Sequence, residues 1–146
     1  MNYVYVAILI GVSVIAGFFY FMSRRQKIVR KLIEEKIQGQ TVIMPTEHVI
    51  FRAVESSEYS QTRGMGFIAL TEEFLYFELV LLKLEITVPT NKLKGAERVG
   101  QLKGVSPGRN MLLIKFTNEK GKDDSMAINV IDKDQWIKAI TKVSKK

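Results

Sequence analysis

Hydrophobic and polar positions divide the chain into three segments of different character. Residues 3–22 form one apolar run of 20 residues without a charged side chain. Basic and apolar positions then alternate with helical spacing up to residue 38, and from residue 40 onward short apolar runs are separated by turn residues. The pattern predicts a hydrophobic helix over 1–23, a basic helix over 24–39 and a β-rich domain over 40–146.

The first apolar run has the length of a transmembrane helix. At about 1.5 Å per residue, 20 residues span roughly 30 Å, which is the hydrocarbon thickness of a bilayer. Tyr3, Tyr5 and Tyr20 lie near its ends, where amphipathic rings favour the headgroup region. A cleaved signal peptide is the main alternative, but no basic segment precedes the run and Arg24 and Arg25 follow it. A buried core helix is a second alternative.

Charge predicts the orientation of this helix. Residues 1–2 carry no charged side chain, whereas six basic residues fall between positions 24 and 36. Basic clusters beside a membrane segment stay in the cytoplasm. We therefore expect a single-pass protein of the cell membrane, with its N-terminus outside and its C-terminal domain in the cytoplasm. The basic residues expected to contact anionic lipid headgroups are Arg24, Arg25, Lys27, Arg30 and Lys31.

Small residues within the apolar run suggest a homodimer through the anchor. Ala7 and Gly11 are four positions apart, as are Ser13 and Gly17. This spacing allows close approach of two membrane helices. The two pairs lie on different faces of the helix.

The basic segment that follows has three interpretations. Its apolar residues fall on one side of a helix that ends near Gly39: Ile28, Val29, Leu32, Ile33 and Ile37. The helix could lie on the headgroups, or its apolar side could pack against the following domain or a partner helix. The simplest interpretation, which we favour, is a stop-transfer flank with no further role.

Six or seven strands and one helix are predicted after residue 40. Short apolar runs bounded by turn residues predict strands, although 71–86 also fits a helix and is taken as strand because of its aromatic residues. The predicted strands cover residues 48–55, 64–70, 74–82, 84–88, 94–102, 111–117 and 122–130, after a short extended entry at 41–44.

The C-terminal helix has a clear start. Asp132 is the predicted N-cap, with Gln135 three residues later, and Ile131 and Trp136 occupy the positions of a hydrophobic staple. Its apolar face contains Trp136, Ile137, Ile140 and Val143. We expect this helix to cover an open end or face of the sheet.

The order of these elements resembles the GRAM and bacterial pleckstrin-homology-like (PH-like) families over roughly residues 41–145. The resemblance rests on residues 64–77 (GMGFIALTEEFLYF), on 47–50 (EHVI), and on Val88-Pro89 followed by 92–95 (KLKG). It implies a mainly β fold: a partly open barrel of about seven antiparallel strands capped by a C-terminal helix, behind the N-terminal transmembrane helix.

The resemblance also implies a function. Domains of these families are non-enzymatic and bind lipid headgroups, peptides or protein partners. Phosphoinositide-binding members place several basic residues around the first hairpin. Here that hairpin carries Arg52 and Arg63 together with Glu55 and Glu58, which argues against a headgroup pocket of that type.

No constellation of catalytic, metal-binding or cofactor-binding residues is evident. The chain has no cysteine and a single histidine, His48. The pair Gly64 and Gly66 lacks the third glycine of a dinucleotide fingerprint and is expected to serve a bulge or close packing. Two polar loops remain as candidate ligand sites, one with Tyr59 and Arg63 and one with Lys103 and Arg109.

The net charge of +7 does not indicate nucleic-acid binding. Residues 1–38 carry a net charge of +4, and three lysines at the C-terminus account for the excess in the remainder. This distribution fits an anionic membrane leaflet better than a nucleic-acid groove. We expect a membrane-anchored, non-catalytic binding module that contacts a protein partner or anionic lipid. The alternative is a structural subunit of a larger membrane complex that assembles through the anchor helix and a sheet edge.

Overall fold

The computed structural model describes residues 2–100 and 110–145, and these form two helices and one antiparallel sheet. Helix α1 covers Asn2–Ile37 and α2 covers Lys133–Ser144. The strands are β1 (Val42–Val54), β2 (Gly64–Thr71), β3 (Phe74–Leu79), β4 (Glu85–Pro89), β5 (Leu93–Val99), β6 (Met111–Thr117) and β7 (Asp123–Asn129). A short 3₁₀ turn, Thr90–Lys92, links β4 to β5.

All seven strands belong to one sheet, in the order β4-β3-β2-β1-β7-β6-β5, and every neighbouring pair is antiparallel. One buried cluster receives side chains from every strand, from Ile86 of β4 to Leu93 of β5, and from Trp136 of α2. The sheet must curve for both of its edges to reach the same core. The predicted fold class, an N-terminal apolar helix followed by about seven antiparallel strands and a C-terminal helix, is confirmed.

Among the described residues, the largest differences from the predicted strands are in β1 and β3. The entry segment and the first strand form one strand, β1, whose register shifts on either side of Met44, next to Pro45. Proline lacks the N–H that a regular ladder requires, so an irregularity at this point is expected. The third apolar run stops being a strand at Leu79, and residues 80–84 turn the chain toward β4. The aromatic residues of 71–86 are in a strand, not in a helix.

The start of α2 confirms the predicted N-cap and contradicts the predicted staple. The Asp132 carboxylate accepts a hydrogen bond from the Gln135 backbone N–H at 3.0 Å. Trp136 is fully buried, but Ile131 is 89% exposed and does not pack on it. Instead, Glu47 of β1 accepts hydrogen bonds from the Ile131 N–H at 2.8 Å and from the Trp136 indole N–H at 2.7 Å. One carboxylate therefore holds the entrance to α2 against the sheet.

Gly66 allows β2 and β3 to approach closely, which is one of the two roles predicted for the pair Gly64 and Gly66. A Cβ at this position would lie 2.7 Å from the Glu78 carbonyl oxygen and 2.8 Å from the Phe77 ring. A Cβ on Gly64 would meet only ordinary contacts, the nearest at 3.7 Å.

We predict that Gly66→Ala destabilises the domain by about 1–3 kcal/mol, the usual cost of overpacking a filled site. Gly64→Ala is the matched control and should change the free energy of unfolding by less than about 1 kcal/mol. Denaturant unfolding of the full chain in detergent micelles, followed by the fluorescence of Trp136, measures both. Equal stability of the two variants would contradict the close approach.

Candidate functional site

Helix α1 passes without a break from the apolar run into contact with the sheet. Residues beyond Arg24 lie on the outer face of β2 and β3, opposite the main core. Val29, Ile33 and Ile37 are buried there. The cluster they form, called the docking cluster below, comprises Met22, Val29, Ile33, Ile37, Phe67, Ala69, Tyr76 and Val80. Of the three interpretations of the basic segment, the structure supports the one in which its apolar side packs against the following domain. The favoured interpretation, a stop-transfer flank with no further role, is wrong.

Only part of the predicted apolar side of this helix faces the sheet. Ile28 is 40% exposed and Leu32 is 39% exposed, whereas Ile33 is fully buried. The apolar stripe is wider than the contact, and its remaining edge lies on the surface of α1.

Polar contacts surround the docking cluster along its length. At the end near the apolar run, the Arg25 guanidinium donates a hydrogen bond from Nε to the Val80 carbonyl oxygen at 3.3 Å. At the other end, the Gln40 amide donates to the Tyr76 hydroxyl at 2.9 Å, and its carbonyl oxygen accepts from the Thr71 hydroxyl at 2.7 Å. These contacts fix the helix against both ends of β3.

Lys36 adds an ionic contact between α1 and the sheet. Its ammonium lies 3.5 Å from the Glu78 carboxylate and also pairs with Glu85 of the neighbouring strand. Burial alone would lower the pKa of Lys36, but the two carboxylates outweigh this effect and raise the pKa above 10.5. Lys36 is therefore charged across the physiological range, and the contact is lost only as the pH rises above that value.

The apolar run lies outside the packed structure, except for its last residue, Met22. One helix among the described residues is long and apolar enough to cross a membrane, and none of its most apolar stretch is buried. This exposure excludes a core helix. The docking cluster begins at Met22, the last residue of the apolar run, so the sheet domain lies directly beside the end of this run.

The five predicted headgroup-contacting residues fall into two groups. Arg30 pairs with Glu34 at 2.8 Å and Lys31 with Glu35 at 3.7 Å, each one helical turn along α1. Within the described chain, Arg24, Arg25 and Lys27 form no ion pair with a carboxylate, and they lie within the first two turns after Met22. The positive charge free to meet a surface is therefore concentrated at the end of the apolar run.

Arg63 joins this basic end, although it is far away in the sequence. Together with Met22, Gly64, Met65 and residues 79–82, it lines a small cavity of about 60 Å³ between α1 and the sheet. The sequence placed Arg63 in a ligand loop and did not connect it with the basic residues of α1, because only the docking of α1 brings them together.

Tyr59, from the same loop, lies in a different and acidic environment. Its ring packs on Phe116 with centroids 6.4 Å apart. Burial raises the pKa of the Tyr59 hydroxyl, and so do the nearby carboxylates Glu119, Asp124 and Glu58. Glu58, Glu119 and Lys120 line the same surface pocket as Tyr59. Tyr59 and Arg63, the two residues of the candidate loop, thus line two different pockets. The other candidate pair, Lys103 and Arg109, lies outside the described residues.

Leu81 and Leu82, in the turn between β3 and β4, are the surface residues that sequence reasoning missed. They are 49% and 48% exposed, whereas the sequence had placed them inside a strand. The length of the run could have indicated that the strand ends earlier, since the nine residues from 74 to 82 exceed a typical strand of five or six.

Within the described ranges, no group of three or more histidine and acidic side chains could hold a metal ion. His48 lies on the exposed side of β1, where its ring meets the edge of Phe67 at a centroid distance of 5.4 Å.

Comparisons with known proteins indicate the fold alone. No family model and no curated protein matches the chain. A solved structure described as the C-terminal domain of an unknown protein from Leishmania infantum is similar with a TM-score of 0.51 at 14% identity, covering 77% of this chain and 91% of that one. A chain of a structure titled "The 8S snRNP Assembly Intermediate" has a TM-score of 0.50 at 11% identity, covering 68% and 80%.

We predict that Ile33→Ala loosens α1 from the sheet while the adjacent Leu32→Ala does not. Removing a buried isoleucine side chain costs about 2–5 kcal/mol, whereas an exposed substitution costs about 0.5 kcal/mol or less. Trypsin cleavage between Arg24 and Lys36 requires local opening of the helix. Its rate should rise at least about tenfold for Ile33→Ala. Equal cleavage rates in the two variants would contradict the docking.

Proposed function

We propose that this chain is a membrane-anchored, non-catalytic binding module. Residues 3–22 cross the cell membrane once with the N-terminus outside. The sheet domain, a PH-like domain by resemblance, lies in the cytoplasm at the membrane surface. There it contacts a protein partner or anionic lipid.

The proposal rests on the observation that α1 is one continuous helix. The same helix is exposed and apolar over its first part and packed on the sheet over its second part. The distance from Met22 to Ile37 along α1 is about 22 Å, so the domain is held beside the membrane end of the helix by a long, rigid contact and not by a flexible linker. Such a rigid connection keeps the same face of the domain toward the membrane and leaves the other faces accessible to partners.

A protein partner explains the architecture better than lipid recruitment does. A domain fixed to a spanning helix needs no headgroup affinity to reach the membrane. The sheet has two edge strands, β4 and β5, each paired on one side only among the described strands. An edge strand offers unpaired backbone groups to which a partner segment can add.

The second candidate function is that of a structural subunit in a larger membrane complex. The exposed stripe of Ile28 and Leu32 favours it, because this stripe continues the apolar surface of the spanning part of α1. Gly11 and Gly17 are exposed on the same helix, and a homodimer through the anchor is one form such an assembly could take.

We predict that cysteine labelling in cells shows the proposed orientation. The chain has no cysteine, so each single-cysteine variant has one labelling site. A membrane-impermeant maleimide should label Tyr3→Cys in intact cells, and Lys122→Cys only after permeabilisation. The reverse pattern would overturn the orientation, and release of the protein from membranes by alkaline carbonate would overturn the anchor.

We also predict that a partner occupies a sheet edge. A benzophenone maleimide on Thr87→Cys in β4, or on Glu97→Cys in β5, should form a cross-linked protein adduct in native membranes upon illumination. The same probe on Lys138→Cys, an exposed position of α2, is the control. Adducts with lipid alone, or an equal yield at the control position, would show that the edges do not bind a protein.

A further inference from the structure

The turn between β3 and β4 is closed and apolar. The Leu79 N–H donates to the Leu84 carbonyl oxygen at 2.9 Å, and the Leu84 N–H donates to the Leu82 carbonyl oxygen at 2.8 Å. Turns in water are usually built from glycine, proline, asparagine, aspartate and serine. This turn has none of them, and it presents Leu81 and Leu82, each about half exposed, followed by the exposed Lys83.

The turn lies at the same end of the domain as the apolar run of α1. The Val80 carbonyl oxygen accepts a hydrogen bond from the Arg25 guanidinium. Arg25 lies three residues, or about 4.5 Å of helix, beyond Met22. Leu81 and Leu82 line the 60 Å³ cavity together with Met22. If Met22 marks the edge of the hydrocarbon, the two leucines lie beside that edge.

The two ends of β3 carry opposite chemistry. The turn before β3 contains Glu72 and Glu73, both exposed. It lies near the C-terminal end of α1, because the Glu72 N–H donates to the Thr41 carbonyl oxygen at 3.0 Å. The turn after β3 contains two leucines and Lys83, with Arg63 close by. The acidic turn is therefore held away from the apolar run and the basic, apolar turn is held next to it.

We propose that Leu81 and Leu82 insert into the membrane leaflet from which α1 emerges, forming a second membrane contact beside the anchor. Lys83, Arg63 and Arg24 would then meet anionic headgroups around the two leucines. Apolar side chains at an interface are buried about 5–10 Å into the boundary between headgroups and acyl chains, with basic residues at their rim. The inference rests on the proposed anchoring of α1.

Lipid is favoured over protein as the occupant for two reasons on the surface itself. The apolar pair shares the cavity with Met22 of the apolar run, and the charged residues of the turn and of the cavity lining, Lys83 and Arg63, are basic. A second contact also determines the tilt and rotation of the domain, which a single helix alone leaves free.

The test uses the full chain reconstituted in vesicles that contain anionic lipid, with the environment-sensitive dye NBD on single cysteines. Leu82→Cys probes the turn, Val12→Cys probes the middle of the anchor, and Glu73→Cys probes the turn at the other end of β3. Fluorescence quenching is measured with lipids that carry a nitroxide near the headgroup or deep in the acyl chain, and with aqueous iodide. The fluorescence of the single tryptophan, Trp136, verifies that each variant is folded. Leu81→Cys is the second probe if Leu82→Cys does not fold.

We expect the shallow nitroxide to quench Leu82→Cys strongly, the deep nitroxide to quench Val12→Cys, and only iodide to quench Glu73→Cys. Quenching of Leu82→Cys by iodide and not by lipid, while Val12→Cys behaves as expected, overturns the second contact and leaves the anchor intact. Protection of Leu82→Cys from both quenchers also overturns it, because the only protein present is a second copy of the chain. Failure of lipid quenching at Val12→Cys overturns the anchor itself.

Discussion

Three aliphatic side chains of α1, Val29, Ile33 and Ile37, pack against the outer face of β2 and β3, and the position of the rest of the molecule follows from this contact. Each fully buried side chain of this size contributes about 1.5–3 kcal/mol. The contact turns a helix that would otherwise project from the domain into a part of it. It also covers the apolar outer surface of β2 and β3, which water would otherwise meet.

Docking determines which charges become neighbours. Arg63 reaches the basic end of α1 because β2 begins where the docked helix begins, and Glu72 is kept at the opposite end by β3. Tyr59 lies in different surroundings from Arg63, because the loop between them runs from Phe116 to the start of β2. The domain thus has a basic, apolar end beside the apolar run and an acidic turn away from it.

The sequence predicted the features that depend on local pattern. The apolar run, the antiparallel strands, the N-cap at Asp132 and the packing role of Gly66 all follow from spacing or residue type. Contacts between segments distant in the sequence could not be predicted in this way. The docked face of α1 could not be assigned, because Ile28 and Leu32 are as apolar as Ile33 and only the shape of β2 and β3 selects among them. The hydrogen bond between Glu47 and Trp136 joins residues 89 positions apart. The exposure of Leu81 and Leu82 depends on β3 ending at Leu79.

The covered face of β2 and β3 also determines what a soluble form of this protein must contain. A chain shortened to begin at Gln40 keeps every strand but loses the helix that covers Phe67, Ala69, Tyr76 and Val80. Its uncovered surface would be contiguous and apolar, of the kind that drives self-association. A chain that begins at Ser23 omits the whole apolar run and keeps the cover except for Met22. Solubility in this protein therefore depends on the helix and the sheet together. The smallest unit that keeps its apolar surface covered includes the second part of α1, although the hydropathy pattern separates residues 24–39 from residues 40–146.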